Sequence, residues 1–173
     1  MTTARGDEIC ERADLIETLA KHRAFLRHTV NGLSNEQAAR RPTTSELCIG
    51  GIIKHVTLVE AQWADFITRG ATAVAMADAA AVEAHANSFR MLPGETVSVL
   101  LDRYQAVAQG TDALVNDLPS LDVSHPLPEA PWFEPGARWS ARRVLLHILA
   151  ETAQHAGHAD IVRESLDGAK TMG

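Results

Sequence analysis

The chain has 173 residues, a length that suggests one domain spanning residues 1–173. Its two cysteines, Cys10 and Cys48, supply no disulfide framework and fit a reducing compartment, and a net charge of −6 argues against nucleic acid, which calls for clustered Lys and Arg. The N-terminus runs into a charged helical pattern without signal-peptide features, and no stretch approaches the ~18 uncharged apolar residues of a membrane span; the expectation is a cytoplasmic protein with no membrane partner.

From Asp7 to about Asn31, apolar residues recur at helical spacing: Ile9, Ala13, Ile16, Leu19, Phe25, Leu26 and Val30. Asn31-Gly32 reads as a stop. Ser34-Asn35-Glu36-Gln37 has the capping-box pattern, which predicts a short helix ended by Pro42. The helical pattern returns from about Cys48 to Thr68. Gly50-Gly51 near its start costs about 1 kcal/mol of propensity per glycine. The pair either permits a close helix–helix approach one turn before His55 or merely loosens the first turn.

Residues 70–93 are rich in alanine and poor in large apolar residues. They read as a long crossover with one short helix around Ala79–Asn87. Pro93-Gly94 opens another helix, Glu95 to about Asp117, with a stripe that includes Val97, Leu100, Tyr104 and Val115. The stretch from Pro119 to Arg138 carries Pro119, Pro126, Pro128, Pro131 and Pro135 with Trp132 and Phe133 among them. It reads as an irregular loop, long enough to suggest a functional role. Ser140 is placed to cap the last helix, Ala141–Asp167, and Gly168 to end it. No segment gives a strand signal. Four long helices with one long crossover between the second and third define an all-α, four-helix bundle.

On the last helix, Val144, Ile148, Glu151, His155 and Val162 fall within about 40° of one line at 3.6 residues per turn. His158 lies about 40° to one side, and His147 near the edge of the stripe. On the second long helix, Cys48, Ile52, His55, Val59, Gln62 and Phe66 share a stripe. A carboxylate and two imidazoles among Leu, Ile and Val need partners for their desolvated polar atoms. A divalent metal on His55, Glu151 and His155 satisfies all three. Two His and one Glu also leave a coordination position open, as in a catalytic rather than a structural zinc site. The plainer alternative is a Glu151–His155 ion pair with each imidazole bonded to a backbone carbonyl.

His158 is a candidate catalytic base or fourth ligand, or else a bundle-end histidine facing solvent. His147 could orient Glu151; a partly exposed surface histidine is the simpler reading. Cys48, two turns and ~10 Å before His55, is too far to share an ion and reads as a small core residue. Arg142-Arg143 could hold a substrate carboxylate, with solvated arginines the simpler reading. Asp160, Arg163 and Glu164 point away from the stripe, towards surface or inter-subunit ion pairs.

The stretches Ser45-Glu-Leu-Cys-Ile-Gly-Gly-Ile-Ile-Lys-His55-Val and Leu146-His-Ile-Leu-Ala-Glu151-Thr-Ala-Gln-His155-Ala-Gly-His158-Ala-Asp160 resemble the signature segments of the DinB/YfiT-like superfamily, with similarity over nearly the whole chain. The nearest resemblance is to an actinobacterial-type branch with a His-Ala-Gly-His-Ala-Asp-Ile helix, related to the mycothiol-dependent maleylpyruvate isomerase metal-binding domain. This implies an up-down-down-up bundle holding a divalent metal with one ligand from the second helix and two from the fourth. Many members use His-x-x-x-His on the fourth helix; here Glu151 stands in the first of those positions, as in the maleylpyruvate isomerase branch.

The activity implied is transfer of a low-molecular-weight thiol, of mycothiol type, to a small electrophile, or isomerisation of that electrophile. A metal-assisted hydrolase and a non-catalytic stress-response or binding protein are the alternatives. Two neutral imidazoles and one carboxylate around a dication leave one net positive charge, which a thiolate neutralises. Zinc is the first choice of metal and nickel the second, although the donor set also accepts iron and manganese. The resemblance is also compatible with a homodimer.

Overall fold

A computed structural model of the chain describes residues 2–73 and 79–171. It is predominantly helical, in the order α1 (Thr2–His28), α2 (Asn35–Ala39), α3 (Ile49–Arg69), α4 (Ala79–Ser88), α5 (Val97–Asp117), β1 (Ser124–Pro126), β2 (Arg138–Ser140) and α6 (Ala141–Asp167). A single 3-10 turn, Gly70–Ala73, follows α3. Residues 74–78 of the alanine-rich crossover lie outside the described residues.

Local chemistry sets most of the helix ends. The Ser34 hydroxyl accepts from the Gln37 amide while the Gln37 side chain accepts from the Ser34 amide, the reciprocal box predicted for α2. Thr96 and Ser140 cap α5 and α6 through the amides of Val99 and Arg143. Gly168 closes α6 in the left-handed region at φ 80°, where an L side chain is disfavoured. Cys48 caps α3, its sulfur accepting from the Gly51 amide, and is buried, as expected of a core residue.

Two expectations need correction. The Pro119–Arg138 stretch is not wholly irregular: β1 and β2 bracket it as a two-stranded antiparallel ladder with His125 opposite Trp139. Strands of three residues are too short to leave a period-2 signal in a proline-rich sequence. The first helix ends at His28 rather than near Asn31, and a turn closed by the Val30 amide on the Arg27 carbonyl takes over.

The long helices pack in a closed ring: α1 on α6, α6 on α3, α3 on α5, and α5 on α1. Their apolar stripes form two clusters. One contains Leu26, Ile52, Val56, Tyr104 and Ala159; the other contains Leu19, Phe66, Val115, Val144 and Ile148. Full burial of each such Leu, Ile or Val contributes about 1.5–3 kcal/mol. Along each long helix, a buried polar residue falls between the residues given to the two clusters: Arg23 on α1, Glu60 on α3, Thr111 on α5 and Thr152 on α6. Arg23 is bonded to Glu60 and Asp112. The two threonines donate to the carbonyls one turn back on their own helices.

Candidate metal centre

His55 projects from the second turn of α3 between Ile52 and Val56, and Glu151 and His155 from adjacent turns of α6, so the packing of α3 on α6 brings the three together. One donor atom from each lies within 4.8 Å of the other two. The Nε2 of His155 is 3.6 Å from a carboxylate oxygen of Glu151, and the two imidazole centroids are 4.9 Å apart. His55 is 4% exposed, His155 is at the margin of burial, and Glu151 is half-buried.

The electrostatics leave His55 and Glu151 in protonation states that could bind a cation. Burial pushes the His55 imidazole down to about 4; His155 and His85 push the same way and Glu151 opposes them. His55 is therefore neutral at pH 7, with a lone pair to offer. The Glu151 carboxyl is held below the usual carboxylate range by the His155 ring beside it, against the effect of its own burial. It is a carboxylate at the same pH.

These residues fit a divalent ion. Tetrahedral zinc with bonds of 2.0–2.1 Å places its donors about 3.3 Å apart, close to the His155–Glu151 spacing. The buried Nδ1 atoms of His155 and His158 have no hydrogen-bond partner among the described residues. Most buried polar atoms are paired, but the His155 Nδ1 lies on another side of the ring from the Nε2 that faces Glu151, so the fit to a cation rests on the donor set and its spacing rather than on these two nitrogens.

The neighbouring residues fall partly as expected. His158 is half-buried, with its ring 5.4 Å from His155, rather than facing solvent at the end of α6. His147 is partly exposed, as in the simpler reading, but packed against aromatic rings. It is half-buried edge-on to Trp63 and Trp139, which stack on each other at 4.8 Å, and burial pushes its pKa down, with Glu151 opposing and Arg143 assisting. Arg142 is engaged by Glu11 and Asp122, and Arg143 lies over the Trp139 ring at 4.3 Å. Arg163 pairs with Asp167 and donates to the carbonyls of Thr29 and Asn31; Glu164 pairs with Lys170.

Sequence reasoning missed the contribution of α4. Its last turn and the next residue surround His55: Ser88 Oγ is 2.9 Å from His55 Nδ1, Phe89 stacks on the ring at 3.9 Å, and His85 meets it edge-on at 5.5 Å. The short helix was predictable, but its contact with α3 was not, because no periodicity links residues 55 and 88. Ser88 also lines an apolar cleft of about 630 Å³ between α3, α4 and α5, with Leu58, Leu100 and Val107 in its walls. His55, Glu151 and His155 do not line that cleft.

The helices and the two-imidazole, one-carboxylate cluster define a predominantly helical protein with a candidate metal centre. A sequence profile of the mycothiol-S-transferase family matches residues 14–168. The chain belongs to that family, of the DinB/YfiT-like group. Among solved structures, the crystal structure of a conserved protein from Enterococcus faecalis aligns with a TM-score of 0.65 at 13% identity, over 90% of this chain and 96% of that one. At that identity the likeness concerns the fold alone. No curated protein matches the sequence. Among the described residues, no helix is long and apolar enough to cross a membrane.

Proposed function

We propose that the chain is a single-domain, up-down-down-up four-helix bundle that holds a divalent metal on His55, Glu151 and His155 and transfers a mycothiol-type thiol to a small electrophile. The observation that carries this reading is the convergence of two imidazoles and a carboxylate from α3 and α6 in a chain of the mycothiol-S-transferase family. A bound divalent ion, zinc before nickel, would favour the thiolate over the thiol of a low-molecular-weight co-substrate.

The protein groups have separate tasks in this reading. His55, neutral through burial, and the ionised Glu151 supply a lone pair and a negative charge without first losing a proton. His158, with an unpartnered nitrogen beside His155, accepts the proton released by the thiol. The sulfur then forms its bond to the electrophilic carbon as the leaving group departs with its electron pair.

The deciding experiment measures metal content on purified wild type beside His55→Ala, followed by thiol transfer to a haloarene. The expected result is about one zinc or nickel per wild-type chain, as for a mononuclear site, none in the variant, and turnover that requires both metal and thiol. Hydrolysis of an ester without added thiol would favour a hydrolase instead. Wild type that takes up no metal on reconstitution would overturn the reading.

A further inference from the structure

Ser88 is the buried anchor of α4. It is 1% exposed, whereas the described side chains from Val82 to Ala86 are exposed. Its hydroxyl has two polar neighbours: the His85 carbonyl oxygen at 2.6 Å and His55 Nδ1 at 2.9 Å. A hydroxyl carries one proton, and a carbonyl can only accept. The Ser88 proton is therefore committed to His85, and Ser88 Oγ is left as an acceptor towards His55. Only an Nδ1 that carries hydrogen can complete that bond. A neutral imidazole has one N–H, so Nε2 keeps the lone pair.

We propose that Ser88 is a positioning residue that holds His55 in its Nδ1–H tautomer and so reserves Nε2 as the donor atom of the α3–α6 cluster. The proposal deepens the metal reading and rests on it for one of its two consequences. The bond also fixes the rotation of the ring about its Cβ–Cγ axis, and Phe89, stacked on one face with planes 23° apart, limits tilting. A ligating histidine whose other nitrogen is held in this way binds metal more tightly, and loss of such a partner typically costs 10–100-fold in affinity.

The geometry also explains why the contact comes from the end of a short helix. The His85 carbonyl lies in the last turn of α4, where a side-chain hydroxyl can supply an added donor. The Ser88 side chain fills that role, and in doing so its own acceptor lone pairs are turned towards α3. One side chain thus ends α4 and orients His55.

The test uses the full chain, metal-free and then titrated with zinc. Two-bond nitrogen–proton NMR on the metal-free wild type at pH 8, with the His55 signals identified by their loss in His55→Gln, reads the tautomer directly. Zinc affinity is then measured by competition with a chromogenic chelator for wild type, Ser88→Ala and Ser88→Thr. The expected results are Nδ1–H at His55 in wild type and in Ser88→Thr, which keeps the hydroxyl, and a mixed tautomer population in Ser88→Ala with zinc bound 10–100-fold more weakly. An Nε2–H tautomer in wild type overturns the proposal whatever the variants do. So does wild-type zinc affinity in Ser88→Ala. If wild type binds no zinc, the metal reading fails and the wild-type tautomer alone decides the role of Ser88.

Discussion

Phe89 lies flat on His55, with ring centroids 3.9 Å apart, and Gly51 is what lets it lie there. A Cβ on Gly51 would overlap the Phe89 carbonyl group and crowd the next amide, so the chain between α4 and α5 passes directly against the first turn of α3. Of the two readings that the Gly50-Gly51 pair allowed, close approach is the one observed, although the approaching partner is a connecting segment rather than a helix. Backbone cannot be repacked as a side chain can. Gly51→Ala is therefore expected to cost about 1–3 kcal/mol through overpacking, even after its gain in helix propensity. It should also weaken zinc binding, because the displaced Phe89 no longer limits the His55 ring. Gly50→Ala meets mainly the flexible end of Met91 and should be milder. Urea unfolding of the two variants, with zinc competition on each, measures both effects.

Glu151 brings the only carboxylate to the three-residue cluster, and its charge rather than its shape is what a cation requires. Glu151→Gln keeps the volume and one oxygen donor and removes the charge. Zinc affinity at pH 7 is expected to fall at least about tenfold, equivalent to ~1.4 kcal/mol, with little change in the unfolding of the metal-free protein because Glu151 is only half-buried. Isothermal titration with zinc gives the comparison. Wild-type affinity in this variant would remove Glu151 from the ligand set.

The parts of this protein legible from sequence are those that depend on near neighbours in the chain. Ser34 with Gln37, Ser140 before α6 and Gly168 after it are local devices, and each sits where the pattern placed it. The pairing of Glu151 with His155 is local too, an i,i+4 spacing, and only the addition of His55 required the inference that two apolar stripes meet. The features missed depend on contacts across the fold. Nothing in one sequence tells Ser88 that its hydroxyl faces His55, sets the stacked Trp63–Trp139 pair against His147, or gives Arg23 its partner 37 residues away. The three-residue strands escaped for a different reason: they are shorter than the alternation that would reveal them.

Acid should weaken the metal-free protein before it reaches the range of carboxylate titration. The unfolded His55 imidazole takes a proton near pH 6.5, whereas burial delays that proton to about 4 in the folded chain. Between those two values the unfolded state binds more protons, so unfolding becomes easier as pH falls. His147, also pushed down by burial, acts in the same direction. Glu151 adds to the loss at lower pH, as its depressed carboxyl finally protonates in the folded state. The His55 share is expected to be on the order of 2 kcal/mol between pH 7 and pH 4. Chelator-treated protein unfolded in urea at a series of pH values should give a stability that is nearly level above pH 7 and declines below pH 6.5, with a shallower decline in His55→Gln. A decline of equal size in that variant would assign the slope to other groups.

The polar residues that separate the two apolar clusters are expected to hold α1 on α3 through a charge pair rather than through packing. Glu60 is fully buried and Arg23 is 5% exposed; Glu60 accepts from both the Nε and an Nη of Arg23, and the remaining Nη donates to Asp112 at 2.8 Å. Two desolvated charges gain little net stability from their pairing, but a single one left unpaired is costly. Glu60→Gln should therefore destabilise the protein by about 3–5 kcal/mol, because the Arg23 guanidinium would keep only the half-exposed Asp112 as its charged partner. Replacement of both members, Arg23→Met with Glu60→Leu, should recover most of that loss, since an apolar pair can pack against Leu19 and Phe66 without desolvated charge. Urea unfolding of Arg23→Met, Glu60→Leu and the double variant completes a thermodynamic cycle, with an expected coupling of at least ~2 kcal/mol. Additive single effects would mean that the pair contributes no more than its separate side chains, and that the ring of helices is held by its two apolar clusters alone.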